Sequence, residues 1–151
     1  MSKVNIERLS PKHEASWREL WNGYLHFYEH PLSEQVTADT FRRLVQRVEG
    51  LRGYIAIDAS GKAIGLVHTL YHANTWSMEP KCYLEDLYVA PDARGTGCGR
   101  ALIEHVRKQA AAFGCAMVYW HTTSDNATAR RLYDRVGQLS DFVKYDLGLR
   151  G

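Results

Sequence analysis

Arg94-Gly95-Thr96-Gly97-Cys98-Gly99-Arg100 interrupts an otherwise ordinary alternation of strand-like and helix-like segments, and its reading decides the fold. Upstream, Cys82 to Ala90 is β-rich and stops at Pro91. Downstream, from about Gly97 to Phe113, Leu102, Val106, Ala110 and Phe113 share a helical face, and Gly114 closes the run. In a strand, glycine loop and helix, backbone N–H groups can approach an anion closely, and the helix N-terminus adds roughly half a positive charge. The segment therefore suits a phosphate or pyrophosphate. A dinucleotide-binding G-x-G-x-x-G counted from Gly95 needs glycine at position 100, where Arg stands, and a G-x-x-x-x-G-K-[ST] loop from Gly95 fails at the same residue.

Outward from the loop, the pattern is regular. Val4 to Arg8 reads as a short strand, and Ser10-Pro11 as a helix start. Trp17, Leu20, Trp21, Tyr24, Leu25 and Tyr28 then form an apolar stripe up to Pro31, and Phe41, Leu44, Val45 and Val48 a second one ending near Gly50. The period changes to two in Tyr54–Asp58 and Ala63–His72, joined by Ala59-Ser60-Gly61-Lys62, a hairpin in which Gly61 supplies the positive φ. After Gly114, Cys115–Thr122 reads as a strand, Asp125–Val136 as a helix and Asp141–Leu147 as a final strand. The order β-α-α-β-β-β-α-β-α-β implies an α/β fold with a mixed sheet and helices on both faces.

Composition limits the function classes. Residues 1–151 read as one domain, with 45% apolar and 24% charged residues and no repeat or linker at which to divide them. A net charge of +2 from scattered Lys and Arg gives no nucleic-acid footprint. No apolar run approaches the roughly 18 residues of a spanning helix, so no membrane partner is expected. Cys82, Cys98 and Cys115 make neither a disulfide framework nor a zinc pattern, and with no signal-peptide core at the N-terminus they point to the cytoplasm.

Arg94, Gly97 and Gly99 fill the pattern [RQ]-x-x-G-x-[GA]. With its flanking strand and helix, the segment resembles the coenzyme A pyrophosphate loop of the GNAT superfamily of N-acetyltransferases, and length and element order agree along the whole chain. The resemblance implies a mostly antiparallel central sheet, acetyl-CoA as cosubstrate and no metal. It places the coenzyme on Leu87, Tyr88, Val89, Arg94, Gly95, Thr96, Gly97, Cys98, Gly99 and Arg100. Cys98 stands where the family usually has an aliphatic residue, and a small hydrophobe should pack there.

Two further stretches carry the likeness. Tyr83-Leu84-Glu85-Asp86-Leu87-Tyr88-Val89 looks like the corresponding strand of the spermidine/spermine and histone/polyamine acetyltransferase branch. Strict alternation would put Glu85 with Tyr83, Leu87 and Val89, and Asp86 with Leu84 and Tyr88, so that only one carboxylate faces a given site. The resemblance favours Glu85 as base or amine-positioning group; the competing reading is a carboxylate paired to an arginine. The stretch from Tyr119 to Tyr133 resembles the W-x-T…N-x-x-A-x-x-L-Y segment of the same branch. Asn126, Arg130 and Tyr133 recur at i, i+4 and i+7 on one helix face. The resemblance makes Asn126 and Arg130 coenzyme contacts and Tyr133 the partner of its sulfur.

His26-Phe27-Tyr28-Glu29-His30 matches H-x-x-E-H by letter but lies before Pro31 without a convincing third ligand, so no metal is expected. A helix end and pocket wall is expected instead, with Tyr24, Tyr28 and His30 near the substrate amine. His68 and His72 share a strand face and read as structural or substrate-lining.

A primary amine with a pKa near 10.4 is about three units too protonated to attack at pH 7, a deficit on the order of 4 to 5 kcal/mol. The expected chemistry is therefore proton removal by Glu85 and protonation of the departing thiolate by Tyr133, on a small amine such as a polyamine or amino acid. The alternatives are an acetyltransferase acting on protein lysines or N-termini, and a non-catalytic acetyl-CoA-binding module. A homodimer through a strand-edge contact at Phe142 and Tyr145 is also expected.

Overall fold

The computed structural model describes residues 3–150, which fall into two compact units that divide between His121 and Thr122. The first holds a five-stranded sheet in sequence order: β1 (Asn5–Arg8), β2 (Leu51–Ile57), β3 (Ala63–His72), β4 (Lys81–Val89) and β5 (Met117–Tyr119). The first three pairings are antiparallel and β4–β5 is parallel, so the sheet is mixed and mostly antiparallel as expected.

Three helices cover it: α1 (Glu14–Phe27), α2 (Glu34–Gln46) and α3 (Cys98–Phe113). The alternation of β2 and β3 sends their side chains to both faces. Ile55 and Leu66 join Trp17, Leu20, Trp21, Phe41 and Leu44 of α1 and α2 in one buried cluster. On the opposite face Tyr54 meets His105 edge-on at 4.6 Å, and Gly65 lets α3 approach so closely that a Cβ there would lie 3.1 Å from Cys98 Sγ and from Leu102 Cδ1. Gly61 turns the β2–β3 hairpin at φ +90°, and Asp58 Oδ1 accepts the amides of Ser60 and Lys62 at 2.9 and 3.0 Å.

Several boundaries differ from the sequence expectation. α2 ends at Gln46, because Arg47 turns left-handed at φ 55°, and Val48–Gly50 is a separate 3-10 turn. β5 is confined to Met117–Tyr119 and pairs only with Lys81–Tyr83. From Leu84 to Val89, β4 therefore pairs with β3 alone among the described residues. In the second unit, α4 spans Ala127–Val136, with Asn126 as its N-cap rather than within its first turn. The expected strand Asp141–Leu147 is not formed: its alternating apolar residues have no ladder partner, and Phe142, Val143, Tyr145 and Leu147 are each largely exposed. Alternation signals strand capacity, but only a paired edge makes a strand. Among the described residues no helix is long and apolar enough to cross a membrane.

Candidate active site

The register of β3 against β4 shifts once. His68 lies opposite Asp86 and Thr69 opposite Leu84, which leaves Glu85 without a partner, a β-bulge in the middle of β4. The extra residue cancels the alternation that would have separated the two carboxylates. Glu85 and Asp86 both line a cavity of about 250 Å³, together with Trp21, Thr40, Arg43 and His68 and two leucines, Leu44 and Leu51. The expectation that only one of the pair can face the site is corrected by this bulge.

The two carboxylates differ in surroundings. Asp86 is nearly buried and held from two sides: Tyr24 OH donates to Oδ1 at 2.7 Å, and His68 Nδ1 lies 2.9 Å from Oδ2. Behind His68, the fully buried Trp17 donates its indole N–H to Nε2 at 2.9 Å. That donor obliges Nε2 to accept, so Nδ1 carries the imidazole proton and gives it to Asp86. Glu85 takes no hydrogen bond among the described residues. Although its side chain is partly open to solvent, partial desolvation in the cleft, then the neighbouring Asp86 charge, raises its pKa from the ordinary glutamate value, against smaller opposing contributions from His68 and Arg43.

Tyr24 and Tyr28 stand beside this pair, their rings 4.9 Å apart. Burial first and Asp86 second raise the pKa of both phenols, so they remain protonated donors. His30, expected near the substrate amine, does not line this cavity: with His26 and Glu29 it lines a separate depression of about 560 Å³. No motif marks Trp21, Thr40 or Arg43 as site residues. The available signal is the sheet register, which brings the α1 stripe and the polar edge of α2 over the His68 strand.

The glycine loop is shaped for an anion. Gly95 and Gly97 both lie in the left-handed region, at φ +79° and +88°, and a Cβ on Gly95 would meet no atom within 4 Å. Ala101 N–H makes the first helical bond, to Gly97 O at 3.0 Å, so the amides of residues 98–100 precede the hydrogen-bonded ladder of α3. These groups fit a diphosphate. Cys98 is buried, and burial pushes its thiol up to about 11, so its side chain is packing and only its backbone is on offer. Thr96 Oγ1 donates to Ala93 O at 2.5 Å, and Arg94 Nε donates to Val89 O at 3.0 Å while its guanidinium lies over the Tyr88 and Phe27 rings. Thr96 and Arg94 thus brace the loop, and Arg100 is exposed at its end. Leu87, Tyr88 and Val89 occupy the stretch of β4 that lacks a β5 partner.

In the second unit, Asn126 Oδ1 caps α4 by accepting Ala129 N–H at 3.4 Å, and Arg130 Nη1 donates to Ser124 O at 2.7 Å. Both side chains organise the start of α4, a role their helix spacing did not suggest. Tyr133 lies within α4.

Comparison with known proteins agrees with this architecture. The chain is 37% identical over 144 residues to D-amino-acid N-acetyltransferase HPA3 of Saccharomyces cerevisiae, covering 95% of this chain and 89% of that protein. It is 30% identical over 149 residues to the uncharacterised N-acetyltransferase YhfO of Bacillus subtilis, covering 97% and 98%. Among solved structures, the aminoglycoside acetyltransferase AAC(6')-Iy in complex with a bisubstrate analogue superposes with a TM-score of 0.84 at 22% identity, covering 99% of this chain and 100% of that one. Residues 15–138 match the acetyltransferase (GNAT) family, and the chain belongs to it.

Proposed function

We propose that the protein transfers the acetyl group of acetyl-CoA to the primary amine of a small molecule, at the cleft between α1, α2 and the β4 bulge. The observation that carries this reading is the unequal pair of carboxylates. Asp86 is immobilised by two donors and supplies a fixed negative charge for an ammonium group, whereas Glu85, with no side-chain hydrogen bond among the described residues and a pKa raised from its ordinary value, is the carboxylate left free to take a proton. Acetyl-CoA, when bound, supplies the activated acyl carbon. The loop from Arg94 to Arg100 holds its pyrophosphate through backbone amides, and Leu87, Tyr88 and Val89 offer the unpaired edge of β4 to its arm. Asn126 and Arg130 act here by shaping the start of α4, and Tyr133 donates the proton that the departing sulfur needs.

A small amine is favoured by the cleft of about 250 Å³ and by relatives named for D-amino acids and aminoglycosides. The polyamine branch, whose corresponding strand the sequence of β4 resembles, supplies the second reading. A thiol-release assay with acetyl-CoA against amino acids, polyamines, aminoglycosides and lysine peptides tests the proposal. Turnover with a small amine is expected. Turnover confined to lysine peptides would move the substrate to proteins, and tight acetyl-CoA binding without turnover on any amine would reduce the domain to a binding module.

A further inference from the structure

Two cationic or donor groups in the same cleft are not used by amine activation. Arg43 projects from α2 into the cavity that Glu85 and Asp86 line. Its Nε donates to Asp39 Oδ2 at 2.8 Å, but Asp39 is shared: Arg42 Nη2 donates to its other oxygen at 2.8 Å. Two guanidinium groups around one carboxylate leave a net positive charge on this edge of α2. The other Arg43 contact, Nη2 to Thr40 Oγ1, is long at 3.5 Å. The second group is the Trp21 indole, which lines the same cavity. Trp21 is 5% exposed, and its Nε1–H has no hydrogen-bond partner among the described residues. A buried donor without an acceptor is costly, so an acceptor oxygen brought by a substrate would satisfy it.

The cavity is therefore lined on the helix side by a positively charged Arg43 and by a tryptophan whose buried N–H is unmet among the described residues, and on the strand side by two carboxylates. A polyamine satisfies only the carboxylates and brings further ammonium groups toward Arg43. A zwitterion satisfies both sides at once.

We propose that Arg43 and the Trp21 indole N–H bind the carboxylate of the substrate, which makes the substrate class an α-amino acid whose ammonium faces Glu85 and Asp86. This rests on the acetyltransferase reading above and adds specificity to it. Arg43 acts as a binding residue: a planar guanidinium with donors beyond Nε matches carboxylate geometry, which a lysine ammonium matches less well.

The test is a set of steady-state measurements with acetyl-CoA, using an α-amino acid in both D and L forms, the corresponding amino acid amide, and spermidine. Comparing variant with wild type for each substrate cancels the difference in amine acidity between acid and amide. Arg43→Gln is expected to lower kcat/KM for the free acid by roughly 10- to 100-fold, mainly through KM, and by at least roughly tenfold more than for the amide. Arg43→Lys should retain part of the loss, and Trp21→Phe should repeat it on a smaller scale while thermal shifts by acetyl-CoA confirm a folded enzyme. Equal loss on acid and amide, or a wild type that prefers spermidine to every amino acid, overturns the carboxylate site while leaving the acetyltransferase reading intact. Absence of turnover on every amine overturns both.

Discussion

Asp86 and His68 face each other directly across β4 and β3, and the imidazole Nδ1 lies 2.9 Å from the carboxylate Oδ2. The contact is the middle of a line from the Trp17 indole through His68 to Asp86, with the Tyr24 hydroxyl closing the other carboxylate oxygen. Every link is buried or nearly so, and each donor in it has one acceptor. The line ties α1 to the sheet at the site itself, so a packing element and a catalytic support are the same set of atoms.

His68→Leu should therefore destabilise the protein by more than a surface change. It leaves the fully buried Trp17 N–H without an acceptor and removes a donor from Asp86, a loss of about 2–4 kcal/mol counted as two unmet polar groups. Urea unfolding measures it. His68→Gln, which can still accept from Trp17, should recover part of the loss; equal stability of all three proteins would show that the line carries no energy.

Glu85 should act in the opposite sense on stability. Its folded pKa is raised, so the folded state binds more protons than the unfolded chain between the ordinary glutamate value and the raised one. Stability then falls as pH rises through that window and stays lower above it. Glu85→Gln removes the ionisation and should raise Tm slightly at pH 7, a small effect because the side chain is partly open to solvent, with the gain vanishing once the carboxylate is protonated at acid pH. A lower Tm at pH 7 would mean that the carboxylate is stabilised by its surroundings.

Gly97→Val should separate coenzyme binding from folding. Gly97 is left-handed at φ +88° in front of α3, a conformation that costs a β-branched residue about 1–2 kcal/mol. Wild type should gain about 2.7 kcal/mol from acetyl-CoA at a hundred times its Kd, read as a thermal shift, and the variant should fold but lose most of that gain. A variant that folds and shifts equally would place the phosphates elsewhere.

Tyr133→Phe should lose little and show no recovery with pH. A departing thiol of pKa about 8.5 needs less help than an amine that must be deprotonated, so a fall in kcat of no more than about tenfold is expected. Single-turnover rates across pH 6–9 provide the comparison.

The sheet, the helices and the glycine loop were legible because each rests on local periodicity or on a fixed residue type: the Trp17–Tyr28 stripe, the Gly61 hairpin, the Gly114 stop. The cleft was only half legible. Glu85 was marked by its unusual place in an apolar strand, but the bulge that turns Asp86 into the same cavity depends on pairing with β3, which no local pattern encodes. Arg43 and Trp21 were hidden for the same reason: no motif marks the arginine, and Trp21 reads as part of the apolar stripe of α1. For His30, nearness to Pro31 in sequence says nothing about which depression it lines. At the C-terminus, Phe142 and Tyr145 alternate as a strand would, yet the strand is not formed, and the edge contact expected of it loses its structural basis.

The central claim is that Glu85 removes the amine proton while Asp86 holds its surroundings in place, and the pH dependence of kcat/KM for Glu85→Gln and Asp86→Asn tests it most directly. Wild type should rise with pH through the raised Glu85 pKa. Glu85→Gln should fall by about 10² to 10⁴ at neutral pH, lose that rise, and recover partly at high pH as the free amine becomes available. Asp86→Asn should lower activity and Tm together, because Tyr24 and His68 lose their common acceptor, yet keep a rise with pH, displaced to lower pH because the Asp86 charge that helps raise the Glu85 pKa is gone. The opposite outcome, in which Asp86→Asn abolishes the rise and Glu85→Gln preserves it, would contradict the account and make Asp86 the base.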